Sequence, residues 1–239
     1  MIVAIDAGNT RIKWGTHEGT SWVAQGALPS AEAAGLAGLA IGWPDTARIV
    51  ACNVAGKEVG EAIGAALAPR FASPLWLCSS AAICGVRNAY EQPEQLGADR
   101  WAALIGARGM TSSACLVVCA GTATTVDWLD ADGEFRGGLI LPGVDLMRAS
   151  LARNTAQLPL AEGEFNCAPR TTMDAIVSGC LHAQIGAIER MFRALADQPG
   201  AICLLTGGAA QRIAPHLNIP CQLVENLILD GLVRFGTSQ

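Results

Sequence analysis

The chain has 239 residues, 51% of them hydrophobic and 15% charged, which is enough material for one large domain or two of about 120 residues each. Its net charge is −5 and no two of its 16 basic residues are adjacent, which argues against a nucleic-acid-binding face. The N-terminus, MIVAIDAGN, lacks a basic stretch followed by an apolar one, and the apolar runs fall short of the roughly 20 residues of a membrane helix, so a cytoplasmic protein with no membrane contact is expected.

Ile2 to Ile5 reads as a buried strand ending at Asp6, Gly8 and Asn9 as a turn, and Arg11 to Gly15 as a second strand. Gly19 and Thr20 form another turn before a third strand over Ser21 to Gln25. A helix is expected over Ala31 to Ala40, with Leu36 and Leu39 on one side, then a strand over Arg48 to Cys52 and a helix over Lys57 to Leu67. Leu75 to Cys78 is a short strand, Cys84 to Leu96 is irregular, and Ala98 to Arg108 is a helix.

After the polar linker Met110 to Ser113 the opening pattern returns. Cys115 to Cys119 is a strand, Gly121 to Thr124 a turn, Thr125 to Leu129 a strand, Asp132 and Gly133 a turn, and Glu134 to Leu141 a third strand. Helices follow over Val144 to Arg153 and Thr172 to Ala196, a strand over Ala201 to Leu205, a helix beyond Thr206-Gly207-Gly208, and a last helix over Glu225 to Phe235. Two halves that each open with a three-stranded meander followed by helices suggest a duplicated α/β fold, with lobes 1–112 and 113–239. Actin and the sugar kinases share that plan, with ATP in the cleft between the lobes.

Nine cysteines include no C-x-x-C pair, and several lie in apolar runs, so they read as reduced core thiols. With three histidines, none at ligand spacing from a cysteine pair, zinc is not expected.

Two turns carry phosphate-binding chemistry. The first is Asp6-x-Gly8-Asn9-Thr10-x-x-Lys13: glycine lets an anion approach backbone amides, Asn9 and Thr10 offer donors, and an acid at a strand end can hold Mg²⁺ through water. The second is Gly121-Thr122-x-x-Thr125-x-Asp127. Either alone also fits an ordinary hairpin; one in each half is what a two-sided phosphate clamp requires. Thr206-Gly207-Gly208 could let a flat base stack on bare backbone, though helix packing explains it equally well. In Gly97-Ala98-Asp99-Arg100-Trp101 the acid at a helix start could be a simple cap.

Taken together these segments resemble the type III pantothenate kinase family. The likeness also takes in Gly137-Gly138-x-Ile140-x-Pro142-Gly143, Tyr90 (the only tyrosine in the chain) and Thr172 in T-x-x-A-I-x-x-G. It implies two ribonuclease H-like lobes of the actin-like ATPase fold and ATP-dependent phosphorylation of pantothenate, the first step of coenzyme A biosynthesis. It implies Asp99 as general base, and Tyr90, Gly97, Ala98, Asp99, Arg100 and Thr172 around pantothenate, with the guanidinium paired to its carboxylate. It implies Asp6, Ala7, Gly8, Asn9, Thr10, Arg11, Ile12 and Lys13, with Gly121, Thr122 and Thr125, around ATP. Mg²⁺ would be held by Asp6 through water, with Asp127 a second candidate ligand. A homodimer is implied, with Thr172 reaching the partner's site. Family members that depend on K⁺ or NH₄⁺ often have an aspartate at the position of Cys119; a thiol is a poor ligand for a hard cation, so weak or no dependence is expected, or a cation site supplied by other oxygens. The alternatives are another small-molecule kinase or phosphohydrolase on the same fold, or a non-catalytic nucleotide-binding regulator.

Overall fold

In the computed structural model, which describes residues 1–160 and 162–239, the opening apolar run forms β1 (Ile2–Ala7). It pairs antiparallel with β2 (Arg11–Glu18), which pairs antiparallel with β3 (Ser21–Pro29). The third strand outlasts its expected end at Gln25 because its register with β2 continues to Arg11 and Pro29.

The helix expected over Ala31 to Ala40 is broken. A 3₁₀ stretch (Ser30–Gly35) leads into one turn of α-helix, α1 (Leu36–Leu39), and a second 3₁₀ stretch (Ala40–Gly42). Gly35, Gly38 and Gly42 weaken any helix here. Of the two leucines expected to share a side, Leu36 is buried and Leu39 is 38% exposed.

Next come β4 (Arg48–Asn53), α2 (Lys57–Leu67) and the short β5 (Leu75–Trp76). The sheet order is β3-β2-β1-β4-β5, with β1, β4 and β5 parallel. The stretch expected to be irregular holds a tight hairpin, β6 (Ala82–Ile83) and β7 (Val86–Asn88), turned by Cys84 and Gly85 at φ 50° and 76°. Helix α3 (Ala98–Met110) follows.

Strand periodicity divides the sheet into two faces. Val3, Ile5 and Ala7 of β1 join Ile49, Ala51, Ile63 and Leu67 in one core. Each of the larger aliphatic side chains among them, Val3, Ile5, Ile49, Ile63 and Leu67, gains about 2 kcal/mol by leaving water. Ala4 and Asp6 of β1, with Val50 and Cys52 of β4, lie on the opposite face.

The second unit repeats the plan. Its strands are β8 (Cys115–Ala120), β9 (Ala123–Leu129), β10 (Glu134–Pro142), β11 (Ile202–Thr206) and β12 (Cys221–Leu223), in the order β12-β11-β8-β9-β10. Helices α4 (Val144–Asn154), α5 (Thr172–Phe192) and the one-turn α6 (Ala210–Ile213) complete it. Alternate residues Leu116, Val118 and Ala120 of β8 pack with Ile176, Leu181, Ile185 and Ile188 of α5. Helix α5 stops at Phe192, short of the expected Ala196.

The last helix, α7 (Leu227–Thr237), belongs with the first unit. That unit comprises Met1–Ser112, Gly133–Phe135 and Asn226–Gln239; the second comprises Ser113–Asp132 and Arg136–Glu225. The lobe expected over 113–239 thus ends at Glu225, and the residues beyond it join the first unit. α7 covers the face of the first sheet that holds Asp6: a Cβ on Gly236 would lie 2.7 Å from Val50 Cγ2. It also packs backbone to backbone with α3. A Cβ on Gly231 would lie 1.8 Å from the Ala102 carbonyl oxygen, and one on Gly106 2.2 Å from that of Leu227.

Nine cysteines are free, and Cys78 and Cys167 are exposed, so the expectation of core thiols fails at those two. Among the described residues no helix is long and apolar enough to cross a membrane.

Gly231→Ala must push α3 and α7 apart. It is expected to cost about 2–3 kcal/mol and lower Tm by roughly 5 °C or more. Gly38→Ala, where an added Cβ meets nothing within 4 Å, is the control and should leave Tm unchanged or slightly raised. Differential scanning calorimetry of the two variants checks the contrast.

Candidate active site

Asp6 is the penultimate residue of β1, and its register partners are Lys13 on β2 and Cys52 on β4. Partners in register send their side chains to the same face, so an ammonium, a carboxylate and a thiol form a row across three strands. Asp6 is only 6% exposed. The Cys52 thiol donates to Asp6 Oδ1 across 3.6 Å. Burial is the main cause that raises the Asp6 pKa to about 6; Lys13 pulls it down, the Asp99 carboxylate pushes it up, and the thiol bond lowers it slightly. Burial likewise holds the Cys52 thiol well above its ordinary range, with the charges of Asp6 and Asp99 adding to the effect, so it stays a neutral donor.

The turn beyond β1 is pinned at three points. Gly8 N–H donates to the Arg11 carbonyl at 3.1 Å, Ser30 Oγ donates to the Gly8 carbonyl at 2.6 Å, and Ser30 N–H donates to the Thr10 carbonyl at 3.1 Å. Asn9, Thr10, Arg11 and Lys13 are exposed. Ala7 and Ile12 are wholly buried in the core, so only their backbone could meet a ligand.

Gly97 is the N-cap of α3 and Asp99 lies in its first turn, where the helix dipole favours negative charge. Asp99 Oδ1 accepts from Arg100 N–H at 2.8 Å. Burial still raises its pKa; the Arg100 amide and guanidinium oppose that. Asp99 and Asp6 are within electrostatic reach of one another.

Arg100 turns the other way. Its guanidinium, 5% exposed in the residue as a whole, donates to Tyr90 Oη at 3.0 Å. It lies 5.7 Å from the Tyr90 ring centroid and 5.6 Å from that of Phe135. Tyr90 and Phe135 rings are 5.1 Å apart. Glu134 and Phe135 reach this place because they pair with Arg87 and Asn88 of β7.

In the second unit the Gly121-Thr122 turn is held as firmly as the first. Gly121 N–H donates to the Ala123 carbonyl at 3.0 Å, and Gly143 N–H donates to the Thr122 carbonyl at 2.8 Å. A Cβ on Gly143 would lie 2.1 Å from the Gly121 carbonyl oxygen, and one on Gly207 2.4 Å from that of Ala120. Close backbone approach thus accounts for the glycine at 207. Gly121 and Thr122 are exposed, whereas Thr125 is 8% and Asp127 0% exposed. Thr125 Oγ1 is buried without a hydrogen-bond partner, and its register partner on β8 is Cys119. Thr172 opens α5 and lines an open groove of ≈ 600 Å³ with Pro142, Met147, Leu151, Ala175 and Cys180.

The profile of the Type III pantothenate kinase family matches residues 2–194. A type III pantothenate kinase from Aromatoleum aromaticum is 60% identical over 97% of this chain and 96% of its own length. One from Dechloromonas aromatica is 53% identical over 97% of each. The chain belongs to the type III pantothenate kinase family. Solved structures extend the likeness at the level of fold. A Campylobacter jejuni chain described as a Baf family transcriptional activator superposes with TM-score 0.65 at 19% identity, covering 99% of this chain and 98% of its own. A Sinorhizobium meliloti chain described as a 2-dehydro-3-deoxygalactonokinase gives 0.62 at 17%, covering 100% and 99%. The fold is that of the actin-like ATPases.

Three participants escaped the sequence reading. Cys52 looks like any core thiol until β4 is known to pair with β1 in register. Ser30 grips the first turn from 22 residues away. Phe135 stacks beside Arg100 only because β10 meets β7. The repeated turn-strand pattern gives no hint of these long-range partners.

Asp6 makes a sharp prediction about stability. Its folded-state value lies above the unfolded one, so its favourable contribution is complete below about pH 3.8 and is lost as pH rises through about 6. Above that, the buried charge costs about 3 kcal/mol. Asp6→Asn is therefore expected to raise the Tm of the ligand-free protein by roughly 5 °C or more at pH 8, and by little near pH 4. Thermal melts of both proteins across that range check it.

Proposed function

We propose that this chain transfers the γ-phosphoryl group of ATP to the primary hydroxyl of pantothenate, giving 4′-phosphopantothenate, in the cytoplasm. The observation that carries the reading is Asp99. It is a half-buried carboxylate with a raised pKa at a helix start, within electrostatic reach of Asp6, and its sequence neighbour Arg100 is bonded to Tyr90.

Asp99 takes the hydroxyl proton as the alcohol oxygen bonds to the γ-phosphorus. The bond from that phosphorus to the β,γ-bridging oxygen breaks, and ADP leaves. The transition state of such transfers is loose, so holding the hydroxyl in line is a large part of what Asp99 contributes. Arg100 and Tyr90 act as a unit toward the pantothenate carboxylate and amide, since the phenol already orients the guanidinium. In the first unit the exposed Asn9 and Thr10 side chains and the Lys13 ammonium hold phosphate oxygens; in the second, the exposed tip at Thr122 offers the same chemistry.

Among the described residues there is no group of three or more His, Cys, Asp or Glu side chains fit to cage a metal. A single carboxylate suits Mg²⁺, which keeps water and binds through substrate phosphates. Asp6 fits that role better than Asp127, which has no solvent exposure. When bound, Mg²⁺ neutralises charge on the phosphates. The groove at Thr172, with Ile140, Leu146 and Leu151 exposed in the same unit, supports a homodimer in which a second copy covers this apolar surface.

A coupled ADP-release assay with a panel of small alcohols tests the assignment: turnover should require pantothenate. Asp99→Asn should lower kcat by about 10²-fold or more and leave ATP affinity nearly unchanged. Retained turnover would remove Asp99 from its role, and ATP binding without turnover on any alcohol would favour a regulator.

Cys119 offers sulfur to a monovalent cation site that prefers oxygen. Replacing K⁺ or NH₄⁺ by Na⁺ at constant ionic strength is expected to change the rate by less than about threefold. An absolute K⁺ requirement would contradict this.

A further inference from the structure

We propose that Cys52 is a positioning residue: its buried thiol fixes the Asp6 carboxylate in the orientation that receives the metal–nucleotide. This rests on the assignment of Asp6 to that role. The argument begins with register. Cys52 is the direct partner of Asp6 across the parallel β1–β4 pair, so its side chain rises from the same face one strand away. It has no solvent exposure, and no water competes for its proton. Its Sγ–H points to Oδ1 at 3.6 Å.

On the opposite side of Asp6 stands Lys13, long, flexible and exposed. Of the two flanking groups only the thiol is short and packed, and so able to set a rotamer. A chain of contacts then runs from the core outward. Val50 and Gly236 pack against each other and so settle β4 against α7, β4 sets Cys52, and Cys52 sets Asp6.

Sulfur suits the task. A protonated thiol is a weak, long donor that orients an anion without neutralising it. It is also soft, so it does not compete with carboxylate and phosphate oxygens for a hard cation. A hydroxyl here keeps the donor but shortens its reach; a methyl removes it and leaves a buried carboxylate oxygen short of a partner.

The test reads metal binding directly. Mn²⁺ stands in for Mg²⁺, and its affinity for the full-length protein saturated with a non-hydrolysable ATP analogue is measured by electron paramagnetic resonance, beside KM for pantothenate and the Tm of the ligand-free protein. Cys52→Ala is expected to weaken Mn²⁺ binding about tenfold with KM for pantothenate unchanged, while Cys52→Ser stays within about threefold of the parent. Cys52→Val, which keeps a group at the γ position but has no donor, takes the place of Cys52→Ala if that variant does not fold. Parent-like Mn²⁺ affinity in the donor-less variant, or equal losses in the alanine and serine variants, would overturn the proposal. Asp6→Asn separates the two levels of inference: it should weaken Mn²⁺ binding at least as much as Cys52→Ala does, and if it leaves Mn²⁺ affinity at the parent value, the role of Asp6 itself is wrong.

Discussion

A carboxylate on an almost closed sheet surface is the constraint around which the first unit is arranged. Burial disfavours the charge on Asp6, and the unit supplies only partial relief through one ammonium and one thiol. The folded chain therefore carries a group that is happier protonated. A neutral side chain would be the stable choice at that position, and the cost of about 3 kcal/mol is comparable to a sizeable fraction of a domain's net stability. Such a residue makes sense when a cation and a polyphosphate complete its surroundings. Asp99 adds a second negative charge to the field at Asp6, which sharpens the need for a positive partner there.

The two turns solve one problem by different means. In the first, one residue closes the structure with side chain and backbone together: the Ser30 hydroxyl holds the Gly8 carbonyl and the Ser30 N–H holds that of Thr10. In the second, backbone does it: Gly143 and Gly207 come so close to the carbonyls of Gly121 and Ala120 that no side chain fits. Both arrangements tie down carbonyl oxygens and leave the tips exposed. Amides whose carbonyl neighbours are already committed can turn toward an anion without repelling it.

The strand plan was legible because it is written in local chemistry: apolar β-branched runs, glycine turns, and one repetition of the set. Helix α2 was legible from its apolar periodicity, and the turn residues from their donors. What sequence hides is pairing at a distance. Nothing in CNVAG states that Cys52 will face Asp6, and nothing near residue 230 states that α7 returns to the first unit. The Ala- and Gly-rich run before Trp43 misleads for a related reason: it has helix-forming composition but only Leu36 as a large buried anchor, and three glycines loosen it into single turns. Short strands such as Cys221–Leu223 exist only because β11 offers them an edge.

Helix α3 joins the packing argument to the chemical one. Neighbouring residues on a helix differ by about 100° in direction, so Asp99 and Arg100 cannot serve the same spot. Asp99 shares the electrostatic field of Asp6, while Arg100 goes to the aromatic pair of Tyr90 and Phe135. One rigid element thereby sets the distance between the Asp99 carboxylate and the Arg100 guanidinium, to which we assign proton acceptance and carboxylate binding. Its placement in turn depends on Gly106 and Gly231, where the α3 and α7 backbones touch. A shift of α3 by the width of one methyl group would move both functional side chains together, keeping their mutual spacing while changing their distance from Asp6. The glycines in the helix crossing, far in sequence from either turn, are therefore part of how the site keeps its dimensions.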